Sequence, residues 1–393
     1  MRSLLAFAVL LCLIGLAGCH HNKPIDYNQP LPEGQLALVK IDPSQYPDFS
    51  FAQTDVSRLN RALDYSLQYM RTKSSQQFFP YLDITHERAV STLMALKQII
   101  NDPSQRSDIN QVIRQRFDVY KSIGAPDPAI AGGYTGQVLF TGYYTPIYDA
   151  SETRQGEYQY PLYKRPADLL NDPTGTMASR RTADGQYVLY YTRGEIEHSG
   201  VLAGHELIWL KSRWDAYVIT VQGSAIVHLT DGRTLEIGYS ANNGYPYTSP
   251  GKTMLAEGVI TQDQLSLHGL ADYFQAHPEA MDKYLDINQR YVFFAVRPGG
   301  PFGCLNVPVT PFATVATDKA VYPRALMTFL IVPLPAEQEG QFANYRGFMM
   351  DQDAGGAIRA AGRSDIYMGI GPAAGQIAGR QLQAGQLYYL AVK

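Results

Sequence analysis

A chain of 393 residues is long enough to bury a large core and to hold two or three domains. Its formal charge of -3 and the absence of any basic tract argue against nucleic acid as a partner. With 28 Tyr, 34 Gly, 24 Pro and only 18% charged residues, the composition points to a β-rich, turn-rich protein. Aromatic and hydroxyl surfaces of this kind suit sugars, although most of the Tyr must be ordinary strand residues.

The chain opens on Arg2 and an apolar run from Leu4 to Leu16, too short to span a membrane and typical of a secretory signal. The run ends in Leu16-Ala-Gly-Cys19, which resembles the bacterial lipobox. That likeness makes residues 1–18 a signal peptide and Cys19 the lipid-modified first residue of the mature chain. An ordinary cleaved signal with an incidental Cys is the competing reading. His20 follows Cys19 where an Asp is absent, which by resemblance to bacterial lipoproteins favours the outer membrane, facing the periplasm. Cys304 is the single Cys in the body of the chain, so no internal disulfide is expected after processing. Residues 19–45 are polar and broken by Pro24, Pro30, Pro32 and Pro43, and read as a tether.

Apolar spacing then predicts helices over about Asp55 to Thr72, His86 to Ile100 and Asp108 to Lys121, which read as packing elements without chemistry. From Gly136 the character turns to strands. Gly136 to Pro146 alternates and carries Thr141, Tyr143, Tyr144 and Thr145, which suit either a polysaccharide groove or an edge strand. Short strands follow at Tyr158 to Tyr163, Tyr187 to Tyr191 and Leu207 to Leu210, and a longer one at Tyr217 to Val227, giving a barrel or sandwich. Gln222-Gly-Ser224 interrupts that last strand with polar groups that need partners. The loop Gly238 to Gly251 is long and rich in amides, hydroxyls and aromatics. Helices are predicted near Thr261 to Ala276 and Glu279 to Leu285, strands at Arg290 to Val296 and onward to Leu334, and a closing β segment at Leu387 to Val392.

Three carboxylates, Asp351, Asp353 and Asp365, lie among glycines and small residues near the C-terminus. Asp beside Gly commonly caps a turn. Asp365, however, leads into Ile366-Tyr-Met368, which places it at the start of a strand beside buried neighbours, where its pKa rises. Aspartic-protease, metal and nucleotide readings fail on motif: there is no Asp-Thr-Gly pair, no His-Glu-x-x-His, no Gly-x-Ser-x-Gly, and no convincing Gly-x-Gly-x-x-Gly unit. No metal and no cofactor is expected. Acid/base cleavage of a glycosidic bond remains. Hydrolases use two carboxylates. A muramyl substrate can supply its own C6 hydroxyl as nucleophile, so one acid, acting later as base, suffices.

The segments Phe140 to Pro146, Gly204-His-Glu-Leu-Ile-Trp-Leu210, Val221-Gln-Gly-Ser224, Asn243 to Gly251, Phe293-Phe294, Asp353 to Ile358 and Ser364 to Pro372 together resemble the membrane-bound lytic murein transglycosylase A family. The likeness runs over nearly the whole mature chain and ends in the family's three-aspartate (3D) domain. It implies a mainly β fold with some α: a double-psi β-barrel from residues 46–146 and 291–393, with the 3D domain over about 300–393, and a second β-barrel domain inserted at 147–290. It implies peptidoglycan glycan strands in the groove between the two, with the lipid anchor holding the protein to the membrane and cell-wall synthases as further candidate partners. The implied reaction is non-hydrolytic cleavage of the MurNAc-GlcNAc β-1,4 bond, leaving 1,6-anhydroMurNAc ends. By the same likeness Asp365 is the catalytic residue, Asp353 supports it or contacts substrate, and Thr141, Tyr143, Gln222 and Ser224 line the groove. The chain departs from the family at Gly355-Gly-Ala-Ile-Arg-Ala360, where Arg359 stands for an expected Lys and Ala360 for a Gly. A non-catalytic wall-binding lipoprotein and a hydrolase of the same fold are the rival readings.

Overall fold

The computed structural model describes residues 25–50, 53–171, 178–336 and 340–393. Six strands close into a ring. In order around it these are Leu382–Val392, Met327–Pro335, Phe342–Asp353, Thr314–Thr317, Arg363–Ile370 and Val138–Thr145, which pairs back to the first through Leu382–Gly385. Strands Leu38–Lys40 and Phe117–Ser122 extend the sheet from the long C-terminal strand. Closure demands close approach at one point, because a Cβ on Gly385 would lie 2.4 Å from the Ile331 carbonyl oxygen. Buried Phe140, Val315, Phe329, Leu330, Met349, Ile366 and Leu390 fill the interior and its flanks.

Two helices cover the ring. Val56–Met70 is capped by Asp55, whose side chain accepts from the Arg58 N–H, and His86–Asn101 is capped by Thr85 in the same way. Leu59, Ala62, Leu63, Ser66 and Met70 recur at helical spacing on the buried face of the first. Gln352 ties that helix to the barrel, its amide donating to the Ala62 carbonyl at 2.6 Å and to Ser66 Oγ at 3.0 Å.

The insert forms a second six-stranded sheet, in the order Val292–Val296, Thr234–Asn242, Ser224–Leu229, Ile147–Ser151, Glu206–Leu210, Tyr160–Tyr163. A bridge between Lys164 and Phe294 brings its two ends together, so it is a nearly closed barrel. The fold is mainly β, with two barrels and flanking helices, as the sequence led us to expect.

Four expectations need correction. Tyr217 to Val227 is not one strand: Arg213–Gln222 is a helix and only Ser224–Leu229 is extended. Ser212 caps that helix by accepting from the Asp215 N–H, and Gly223 ends it at φ 81°, the left-handed conformation glycine tolerates. Local capping and burial override the β-branched run Val218-Ile-Thr-Val221. The third predicted helix ends early, as Ile109–Arg116, and Phe117–Ser122 joins the large sheet. The strand Val292–Val296 pairs within the insert's sheet and so lies outside the six-stranded ring, contrary to the boundary at 291. The segment read as tether up to residue 45 already docks at Leu38–Lys40, which pairs with Tyr120–Ser122.

Inside the barrel Asp351 is fully buried and holds three strands together. It forms an ion pair with Lys319 and accepts from Thr317 Oγ1 at 2.8 Å and from the Tyr389 hydroxyl at 2.7 Å. Removing one partner of a buried pair strands the other. Asp351→Ala is therefore expected to lose about 3–5 kcal/mol in urea unfolding. The double change Asp351→Leu, Lys319→Met should lose clearly less; equal losses would mean that the pair is not what the fold depends on.

Candidate active site

One row of side chains crosses the barrel wall. Asp353 pairs with Ala316 in the parallel ladder, Ala316 pairs with Asp365 in the antiparallel one, and Asp365 pairs with Thr141 in the next parallel one. Residues in register across neighbouring strands share a face, so Asp353, Asp365 and Thr141 face one side across the small Ala316. Tyr143 and Tyr367, each two residues further along, lie beside the row with ring centroids 5.1 Å apart and planes tilted by 49°.

Asp365 is partly buried, and its Oδ1 is buried without a hydrogen-bond partner. Burial pushes its carboxyl up to about 7, the charge of Asp353 adds to that push, and Arg363 and then the Thr141 hydroxyl oppose it. Such a carboxyl exchanges a proton near neutral pH in either direction.

Asp353 has the opposite surroundings. The Tyr143 hydroxyl donates to its Oδ2 at 2.7 Å, and the Cys304 and Ala354 N–H groups donate to its Oδ1 at 2.8 Å each. Burial raises its pKa while these donors favour the charged form. Burial and the neighbouring carboxylates push Tyr143 well above the usual phenol range, so it stays a neutral donor.

Gln222 and Ser224 sit where insert and barrel meet. The Gln222 side-chain carbonyl accepts from the Tyr144 N–H at 3.0 Å. Ser224 Oγ lies 3.2 Å from Thr145 Oγ1, which is 2.9 Å from the Tyr367 hydroxyl. Ser224 is only 9% exposed, so its hydroxyl belongs to this internal chain rather than to an open groove wall. Arg359 is exposed on the loop after Asp353. Beneath that loop Arg290 donates to Asn242 Oδ1 at 3.1 Å and to the Tyr245 carbonyl at 3.0 Å. Cys19 lies outside the described residues.

Sequence reasoning gave Arg363, Tyr367 and Cys304 no part in the site. The alternation in Arg363-Ser-Asp365-Ile-Tyr367 was the available signal, since it puts all three odd-numbered side chains on one strand face. Among the described residues, the one group with metal-ligand spacing is Glu197, His198 and Asp286. Arg213 already occupies it, donating to Glu197 Oε2 and pairing with Asp286, so a guanidinium stands where a cation would sit. Among the described residues no helix is long and apolar enough to cross a membrane.

The barrel that carries the three aspartates and the second barrel inserted ahead of it each match a known domain family. Residues 139–295 match the MltA specific insert domain and residues 313–391 match the 3D domain. The membrane-bound lytic murein transglycosylase A of Escherichia coli K12 is 32% identical over 260 residues, 65% of this chain and 66% of that relative. The Vibrio cholerae protein of the same name is 30% identical over 266 residues, 67% of each chain. The chain thus spans about two thirds of the length of these curated relatives. It belongs to the membrane-bound lytic murein transglycosylase A family. Its fold matches the murein transglycosylase from Agrobacterium tumefaciens with TM-score 0.75 at 23% identity, over 91% of this chain and 98% of that one. It also matches E. coli MltA with bound chitohexaose, TM-score 0.67 at 26% identity, over 94% and 96%.

The elevated Asp365 carboxyl has a thermodynamic consequence. Unfolded, it ionises at about 4; folded, at about 7. Between those values the folded state holds a proton that the unfolded state has released, so this group's contribution to stability falls as pH rises through the window and stays low above it. Asp365→Asn removes the effect. Its melting temperature relative to the parent should climb from pH 4 to pH 7 and level off above; a constant difference across that range would contradict the elevated carboxyl.

Proposed function

We propose that this chain is a peptidoglycan lytic transglycosylase in which Asp365 is the single acid and base. The observation that carries the reading is the contrast between the two carboxyls. Asp365 has an unpartnered oxygen and an elevated pKa, whereas Asp353 is held by three donors. One carboxyl is free to exchange a proton and the other is committed to its neighbours.

The chemistry follows from that. Asp365 gives its proton to the glycosidic O4 as the bond from the muramyl C1 to O4 breaks. The muramyl C6 hydroxyl, already tethered to the reacting ring, closes on C1 with the advantage of an intramolecular attack. Its proton passes to the Asp365 carboxylate, which restores the acid and leaves a 1,6-anhydro ring without consuming water. Asp353, fixed by Tyr143 and two backbone N–H groups, supplies negative charge near the developing oxocarbenium centre or holds the sugar. Thr141 and Tyr143 contribute to the substrate face, and Gln222 and Ser224 hold the insert against it. The relative with chitohexaose bound supports a glycan of alternating or uniform β-1,4 sugars in the cleft. With Cys19 lipidated, the stretch between Cys19 and the docked Tyr27-Asn28 segment tethers the body to a membrane, the outer one by the lipobox context, with the catalytic barrel in the periplasm.

Mass analysis of fragments released from purified peptidoglycan by a soluble form lacking Cys19 tests the reading. Anhydro-terminated fragments are expected from the parent, with release slowed at least about a hundredfold in Asp365→Asn. Reducing-end fragments would assign a hydrolase, and binding without release by the parent would assign a wall-binding protein. Because Asp365 must be protonated to start the reaction, the parent's rate is expected to fall on the alkaline side with a midpoint near 7.

A further inference from the structure

Arg363 is buried, 8% exposed, two residues ahead of Asp365 on the same strand and therefore on the same face. A guanidinium taken out of water is normally met by a carboxylate. Arg363 has no ion pair among the described residues. Its Nη2 donates to Thr141 Oγ1 at 3.1 Å, its Nη1 to Asn28 Oδ1 at 3.4 Å, and its Nε is buried without a partner. The charges acting on it are Asp365 on its own strand and Lys252 from the insert, with the Tyr247 hydroxyl close by. The groups facing Asp365 are Arg363, Thr141 and Tyr143, together with Asp353 across Ala316.

Guanidinium has donors only, so the Thr141 oxygen must act as acceptor towards Arg363. A hydroxyl has one proton, and with its acceptor side taken by Arg363 that proton is left for the other side of Thr141. There the in-register neighbour is Asp365. The alternative acceptor, the Ser364 carbonyl, lies at the long distance of 3.5 Å.

We propose that Arg363 is a positioning residue: it orients the Thr141 hydroxyl towards Asp365 and, through that hydroxyl and its own charge, stabilises the Asp365 carboxylate formed when the proton leaves. The idea rests on the reading of Asp365 as the acid. Without Arg363, burial and the Asp353 charge lose their largest opponent, and the carboxyl holds its proton too tightly to serve.

The test follows the Asp365 carboxyl directly, by carbon-13 NMR titration of aspartate-labelled protein without substrate, in the parent, Arg363→Gln, Arg363→Lys and Thr141→Val. The parent midpoint is expected near 7. Arg363→Gln should raise it by about one pH unit or more, and Arg363→Lys by less. Thr141→Val should raise it too, with the double variant moving less than the sum of the singles, as groups acting in series do. The alkaline limb of the pH-rate profile should move with the titration, and kcat should fall while KM changes little. A folded Arg363→Gln with an unmoved midpoint would overturn the proposal. If circular dichroism finds that variant unfolded, Arg363→Lys and Thr141→Val decide in the same way. A moved midpoint in a protein whose parent releases no glycan fragments would sink the transglycosylase reading and leave the Arg363 coupling standing.

Discussion

The site depends on a register, and the register depends on one bulge. Along Asp351-Gln-Asp353 simple alternation puts both aspartates on one face of the strand. The ladder to Thr314–Thr317 slips between Val315 and Ala316, so Asp351 aligns with Val315 and Asp353 with Ala316, on opposite faces. Asp351 consequently points into the barrel, where Lys319, Thr317 and Tyr389 meet it. Asp353 faces the other way, level with Asp365 and Thr141. A flat pairing at this point would put both aspartates on one face, leaving either Lys319 without its partner or Asp365 without the neighbouring carboxylate.

Three aspartates in one small barrel are thereby given three different characters by their surroundings alone. Asp351 is fully buried and paired with a cation, a structural group. Asp353 is saturated by three hydrogen-bond donors and holds its position. Asp365 has a buried oxygen with no donor, and burial outweighs the opposing influence of Arg363 and Thr141. Burial raises all three carboxyls, and Asp365, with one oxygen left without a donor, is pushed up to about 7, because each donor to a carboxylate lowers its affinity for a proton.

The insert is coupled to this chemistry through few but well-placed groups. Gln222, at the end of the helix Arg213–Gln222, takes the N–H of Tyr144 on the strand that carries Thr141 and Tyr143. Ser224 reaches Thr145 and, through it, Tyr367 on the Asp365 strand. Gly142 lets the helix Gly371–Arg380 settle on the same strand, since a Cβ there would meet Ala378 Cα at 2.8 Å. A shift of the insert would thus be felt by both strands that present the proposed reacting groups.

The sequence by itself carried the leader and lipobox expectation, the mainly β plan with the two barrels that the family motifs imply, and the covering helices near Asp55 to Thr72 and His86 to Ile100, and it singled out the three aspartates. Each of these lives in local spacing or in motifs that survive being read one residue at a time. Only the tertiary structure decided that Asp351 and Asp353 face opposite sides, because the bulge at Gln352 leaves no mark in an Asp-x-Asp alternation. It also decided that Tyr217 to Gln222 coils into a helix against its β-branched composition, that Ser224 is an internal hydroxyl, and that Val292–Val296 belongs to the insert. Arg363 became visible only once its strand lay beside Thr141. Pairing partners, burial and the supply of hydrogen-bond donors are properties of contacts between distant segments, and those contacts exist only when the chain is folded.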